Sequence, residues 1–477
     1  MKNIVSIFAA CVLSIAINTY AQNITNTLGA GGLFKVKDAL NDYLTLSQLT
    51  GQVNILKSLR LEPTTAENVG IIFKGSYRFI HNYGTENTFL GSNAGNFTMT
   101  GGYNTSVGSG TLISNTSGSE NTAIGFSSLG LNTTGSYNTA AGSLALSKNT
   151  IGNANSAFGI GSLFWNISGS SNSAAGNVAL FSNSSGQENS AMGAGALYSN
   201  STGSWNSAFG YQSLYLNNGN SNSAFGYNSL FYNGGNENTA LGSYALYSNT
   251  TGFSNTSVGV KSLYVNTTGY ANTSIGYETL FSNQSGQGNT ALGYQALYSV
   301  TSGWLNTALG VGAGSSITSG DNNIIIGNNA QVPNPTLDYQ IRIGNTSITY
   351  AGIQVAWTIT SDIRWKKNII PSNLGLNFIT LLNPVSYIRK NDEEERVEYG
   401  LIAQEVEEVL KNEGIENSGM LTITDNGMYE LRYNDLIAPM IKAIQELSEE
   451  NQTLKVKYQN LEARLSKFEE IQNELVK

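Results

Sequence analysis

The stretch "NTALGSYALYSNTTGFS", residues 238–254, decides the fold because the chain repeats it. Counting in both directions from Asn238, an asparagine recurs from Asn87 to Asn323 at intervals of 17 residues, with two intervals of 16, which makes fifteen copies. The fourth residue after each of these asparagines is glycine, from Gly91 to Gly327. From the copy at Asn104 to the copy at Asn289 the eighth is always leucine. One Leu, one or two Ala and an aromatic cannot close a core within 17 residues, so each unit must bury its apolar stripe against its neighbours. The alternation in "TALG" and "ALYS", broken by Gly and by "NTTG", predicts two short strands and two turns per coil. The recurring glycine supplies a positive φ or a close backbone approach, and stacked asparagines form ladders that satisfy turn backbone groups. A helical solenoid is the competing reading, since "SSLGLN" or "YALYSN" could form a helical turn. Gly, Asn, Ser and Thr at this density are poor helix formers, and the unit is too short for a helix pair. The expected class is therefore mainly β, a parallel β-solenoid or β-roll over residues 87–330. At one coil per strand spacing of about 4.8 Å, it extends for roughly 70 Å.

Outward from the repeat the composition changes. Charged residues are only 12% of the chain, and between Asn87 and Ala330 they are confined to Lys148, Lys261, Glu120, Glu188, Glu237, Glu278 and Asp321. A net charge of −8 without a basic cluster in the middle argues against nucleic-acid binding, whose affinity rests on neutralising phosphates. The first residues, "MKNIVSIFAACVLSIAINTYAQ", read as a secretory signal peptide over 1–21, cut near Ala21. The expected location is secreted or cell-surface. Cys11, the single cysteine, falls inside that apolar run, which leaves the mature chain without a disulfide; acylation of Cys11 as a lipoprotein is the minor alternative. No later apolar stretch approaches the roughly 20 residues that span a bilayer, so no transmembrane anchor is expected.

Several tempting motifs carry little chemistry. "GVGAG" at 310–314 lacks the lysine of a phosphate loop and sits in register with the repeat. His81, the only histidine, has no Cys or carboxylate cluster around it and reads as structural; no metal or cofactor is expected. Trp165, Trp205 and Trp304 occupy different repeat positions, as packing residues or as sugar-stacking platforms. Paired carboxylates for glycoside hydrolysis are nearly absent from the repeats. Residues 22–86 read as an N-terminal β cap on the open solenoid end, from the alternation in "YLTLSQLTGQVNILKSLRL" and "VGIIFKGSYRFIH". Residues 331–360 read as a β connector.

Beyond Ser361 the chain becomes conventionally charged. "EYGLIAQEVEEVLKNEG", 398–414, has Leu401, Ile402, Val406, Val409 and Leu410 at helical spacing before Gly414. From Ile437 onward a heptad places Ile437, Ile444, Asn451, Tyr458, Leu465 and Gln472 at one core position and Met440, Leu447, Leu454, Leu461, Phe468 and Leu475 at the other. This predicts a parallel coiled coil over 433–477, with Asn451 fixing register, and hence an oligomer. Dimer and trimer are both open to the heptad alone; a β-shaft upstream favours the trimer.

Four ordered blocks, "SDIRWKKNI", "GLNFITLLNPVSYI", "YGLIAQEVEEVL" and "LRYNDLIAPMIKAIQEL", resemble the intramolecular chaperone auto-processing domain of the endosialidase type, which ends phage tailspikes and tail fibres. The repeats resemble the head repeats of trimeric autotransporter adhesins, whose units are shorter. The first resemblance implies a small α+β domain over 361–432 that trimerises, templates the shaft before it and cuts itself off in front of a serine. By position it implies Ser361 as nucleophile, Lys366 as general base and a scissile bond between Thr360 and Ser361. The loop "KNEGIENSG" from Lys411 departs from the proline-led stretch of many relatives. With no histidine nearby, a serine can be activated only by another base, and lysine serves when neutral. Residues five apart lie on opposite faces of a strand and about 140° apart on a helix, so a bend, or a lysine from another protomer, must unite the pair. The reading is an exported homotrimeric fibre or adhesin-like protein. A cell-surface glycan or a host surface is the partner class for such a shaft. The alternatives are a glycan-degrading enzyme on a trimeric shaft and a permanent, uncut trimerisation module.

Overall fold

The computed structural model describes residues 33–37, 42–47, 52–55, 59–65, 69–354, 358–390, 392–424 and 427–475. The expected signal peptide and Cys11 lie outside the described residues. Two compact units divide at Ile71. In the first, Leu33–Lys37, Asp42–Ser47 and Val53–Ile55 form an antiparallel sheet in sequence order.

The second unit begins with a hairpin, Ile72–Lys74 and Tyr77–His81, whose second strand pairs antiparallel with Thr88–Leu90. From Thr88–Leu90 onward every repeat contributes one three-residue strand, and each pairs parallel and in register with the strand of the next coil, as Ala140, Ala157 and Ala174 do. The ladder continues to a sixteenth strand, Ile341–Ile343, paired with Ile324–Ile326. The β-solenoid and its 17-residue spacing are therefore present as the sequence pattern predicts.

The middle residue of each strand faces inward, and Phe89, Ala123, Ala157, Ala208 and Ala240 are fully buried. So is the leucine of each central repeat, Leu112 through Leu297. Burying a leucine contributes about 1.5 to 3 kcal/mol, and the stack collects one from each neighbouring pair of coils. The expected second strand is the main departure. The leucine sits at φ near +50° in all twelve central repeats, a left-handed conformation that an extended strand does not contain. The far side of the coil is accordingly a chain of turns. Backbone amides still bond from coil to coil there, as Leu146 N to Ser162 O and Lys148 N to Phe164 O do at 3.0 Å, but among the described residues a strand pair forms only in the two shortened coils, Leu216–Asn217 with Tyr232–Asn233.

Two amide columns run through the interior. Asn155 Nδ2 donates to Asn138 Oδ1 of the preceding coil at 3.1 Å and to Gly169 O of its own coil at 2.9 Å. Asn166 Nδ2 reaches Asn149 Oδ1 and the same Gly169 O, both at 2.8 Å. These asparagines are fully buried, so their ladders satisfy groups that water cannot reach. Gly142 shows why the glycine column is invariant within the chain: its φ is +149°, and a Cβ there would stand 2.3 Å from Gly159 O. A third column is aromatic. Nine rings from Phe164 to Tyr298 stack with centroids 5.0 to 5.3 Å apart.

After Ser361 come a helix α1, Leu376–Leu381, a hairpin of Val385–Ile388 and Val397–Gly400, and a helix α2, Ala403–Asn412. A second hairpin, Leu421–Ile423 and Tyr429–Leu431, leads to the long helix α3, Ile437–Leu475. Leu374, Phe378, Val406, Leu410, Met420 and Leu436 form its small core. The helical spacing from residue 398 overshoots: Glu398–Gly400 belong to a strand, and α2 holds only Val406 and Leu410 buried. Glu446 of α3 accepts a hydrogen bond from Leu376 N at 2.6 Å and so fixes α1 on the long helix; this bond holds its carboxyl below the usual range.

Candidate functional site

Ser361 opens the C-terminal region, and the residues after it build the bend that five-residue spacing requires. Ile363–Trp365 form a single 3-10 turn. Asp362 caps it, its Oδ1 accepting from Arg364 N at 2.9 Å. Lys366 N closes the turn on Ile363 O at 3.0 Å, and the backbone then leaves Lys366 extended, with φ −113° and ψ 143°. That reversal returns the lysine side chain to the serine: Lys366 Nζ donates to Ser361 Oγ at 2.7 Å. A single chain suffices to unite the two groups.

Two of the charges nearby, Asp362 and Arg364, pair with each other. Arg364 donates to both carboxylate oxygens of Asp362, at 3.0 and 2.7 Å. This fork holds the Asp362 carboxyl below its ordinary range and raises Arg364. Asp362 is thus engaged by the arginine that follows it, and its oxygens cap the turn. Apolar side chains around the pair face outward: Trp365 is 83% exposed, and Ile359, Ile363 and Ile370 are similarly open.

The other sequence candidates are dispersed. Thr360 directly precedes the serine and is exposed. His81 is buried under the first coil, its Nε2 against Ala94 O at 2.7 Å and its ring 4.7 Å from Phe89. Trp165, Trp205 and Trp304 are exposed on separate coils. Asp321 and Asp338 stand one coil apart, but each accepts a turn amide, from Trp304 N and Asp321 N, both at 2.7 Å. Ser136 and Asn153 perform the same service earlier in that column. Among the described residues no cluster of His, Cys, Asp and Glu could hold a metal, and no helix is long and apolar enough to cross a membrane.

One contact escapes motif reading. Arg342 of the sixteenth strand forms an ion pair with Glu430 of the second hairpin. Its signal was present: Arg342 lies 17 residues after the inward-facing Ile325, but the repeat count from asparagines ends at Asn323.

Comparison with known proteins gives no match to the chain among curated proteins or among solved structures. The model of one family, Chaperone of endosialidase, matches residues 361–415. The match begins on Ser361 and runs to residue 415, so the first part of the region that follows the β-solenoid is similar to that family.

Proposed function

We propose that the protein is an exported, homotrimeric fibre-like shaft whose C-terminal chaperone drives its folding and then cuts itself off between Thr360 and Ser361. The observation that carries this reading is the 2.7 Å contact of Lys366 Nζ with Ser361 Oγ at the start of the matched region. A neutral Lys366 takes the hydroxyl proton as Ser361 Oγ attacks the Thr360 carbonyl carbon. The carbon–nitrogen bond breaks, the Ser361 nitrogen takes up a proton, and the chain is joined at that point by an ester. One water hydrolyses the ester, leaving a carboxylate on Thr360 and a free amine and hydroxyl on Ser361.

Assembly supports the same reading. The heptad residues of α3 are exposed in the single chain, with Ile444, Leu461 and Phe468 each more than 60% open. Over 39 residues this is a seam for further copies of the same helix. Packing copies around Ile359, Ile363 and Trp365 would exclude water from the Ser361–Lys366 pair, which ties cleavage to assembly. Exposed Trp205 and Trp304 offer stacking faces for a glycan along the shaft.

Denaturing electrophoresis of recombinant protein tests the reading. A fragment beginning at Ser361, identified by its N-terminal sequence, is expected from the wild type and absent from Ser361→Ala and Lys366→Ala. A single intact wild-type band would rule out self-cleavage.

A further inference from the structure

The inward column of the solenoid is apolar or small through fifteen strands, ending Ala291, Ala308 and Ile325, all buried. In the sixteenth strand the same place is taken by Arg342. A guanidinium there belongs to the last coil face, where the stack has no further strand among the described residues to cover it. It is not left to water. Its Nε donates to Gly344 O at 3.2 Å, and its terminal nitrogen to Glu430 Oε1 at 2.5 Å. Glu430 is the middle residue of Tyr429–Leu431, held in register opposite Thr422 of its hairpin. Both side chains are partly buried, 27% and 39% exposed.

The pair spans 88 residues of sequence and encloses the Thr360–Ser361 bond. Between the sixteenth strand and Ser361 the described chain contains no strand or helix, so no ladder of backbone bonds carries the solenoid across this seam.

We propose that Arg342 and Glu430 are the seat by which the chaperone region holds the last coil of the solenoid. The hairpin offers a fixed carboxylate to the one charged side chain that the column presents. The seat orders the terminal coil while the chain is intact, and it keeps the two products together after the seam is cut. The second consequence rests on the self-cleavage proposed above; the first does not. Arg342 is a positioning residue in this scheme and takes no part in the bond-breaking step. A partly exposed ion pair of this kind is sensitive to salt, which makes release of the chaperone dependent on ionic strength.

The test uses the full chain with Ser361→Ala and a site-specific protease sequence in place of residues 355–360, so that the cut is made by added protease and does not depend on self-cleavage. Retention is the fraction of the C-terminal product that co-elutes with the shaft on size exclusion. In dilute salt the parent is expected to retain it, and salt of about 0.5 M to release it. Arg342→Glu and Glu430→Arg singly are expected to lower retention by about tenfold, because like charges then face each other. The double exchange, Arg342→Glu with Glu430→Arg, is expected to restore it, which a general folding defect would not allow. Equal retention in the single variants, or no recovery in the exchange, overturns the seat. A wild-type chain that never cuts itself would remove the cleavage reading and leave this result standing.

Discussion

Asn283 and Val300 occupy successive places in one inward column, and the change from amide to isopropyl leaves Asn283 Oδ1 buried without a donor. The neighbouring column ends differently, because Gln340 N donates to Asn323 Oδ1 at 2.8 Å. A hydroxyl at position 300 could close the open end, so Val300→Thr is expected to lie within about 1 kcal/mol of the wild type or above it. In mid-column, Asn200 donates to Asn183 Oδ1 and accepts from Asn217 Nδ2, and Asn200→Val is expected to cost about 2 to 5 kcal/mol. Denaturation of the two variants compares them directly, and equal losses would contradict the ladder account.

The bend at the seam depends on Asp362. Asp362→Asn removes the fork to Arg364 and weakens the cap, and the expected result is about tenfold slower appearance of the Ser361 fragment with oligomer size unchanged. The pH sign follows from the lowered carboxyl. Its contribution is complete above the ordinary value of 3.8 and is lost as pH falls through the lower folded-state value. A time course on denaturing gels reads the rate, and wild-type speed in the variant would refute the role.

His81 makes the base of the solenoid sensitive to acid. Burial is the main cause that lowers its pKa below 6.5, with Arg78 acting the same way and the Ala94 carbonyl opposing both. Its folded-state value is depressed, so stability is full above pH 6.5 and declines as pH falls towards the folded-state value. Thermal midpoints at about pH 8 and pH 5 are expected to fall for the wild type and to fall less for His81→Gln. Parallel pH profiles would show that another group is responsible.

Asn451 lies at a core position of the α3 heptad and, in the single chain, donates to Leu447 O at 3.0 Å. Asn451→Leu is expected to raise the melting temperature of the assembled helix while broadening its oligomer distribution. Light scattering after chromatography distinguishes a single species from a mixture.

The sequence made the stacking direction legible because inward positions recur in place: Leu146 and Ala157 are readable as core, and Asn138 and Asn155 as a ladder, before any coordinates. The turn side was not legible. No propensity scale places Leu146 at φ +49°; the conformation is imposed by burial of its side chain and by the fit of the adjoining coils. At the seam, Ser361 and Lys366 were legible as residues, while their meeting depended on a cap and a turn spread over Asp362 to Trp365. Glu430 offered no sequence signal, since its partner is 88 residues away.

The register of the columns also governs how such a chain can vary. Each coil touches only the coils beside it, and Asn, Gly and Leu return to the same places every 17 residues, or 16 in the two shortened coils. Gain or loss of one whole coil keeps every column continuous, and the two shortened coils lose their residue in the turn after Asn217 and Asn233, whereas a one-residue change between Asn138 and Gly142 would throw Gly142 out of line with Gly159. Length is therefore inherited in steps of about 4.8 Å, between a first coil fixed by His81 and a last coil fixed by Gln340 and Arg342.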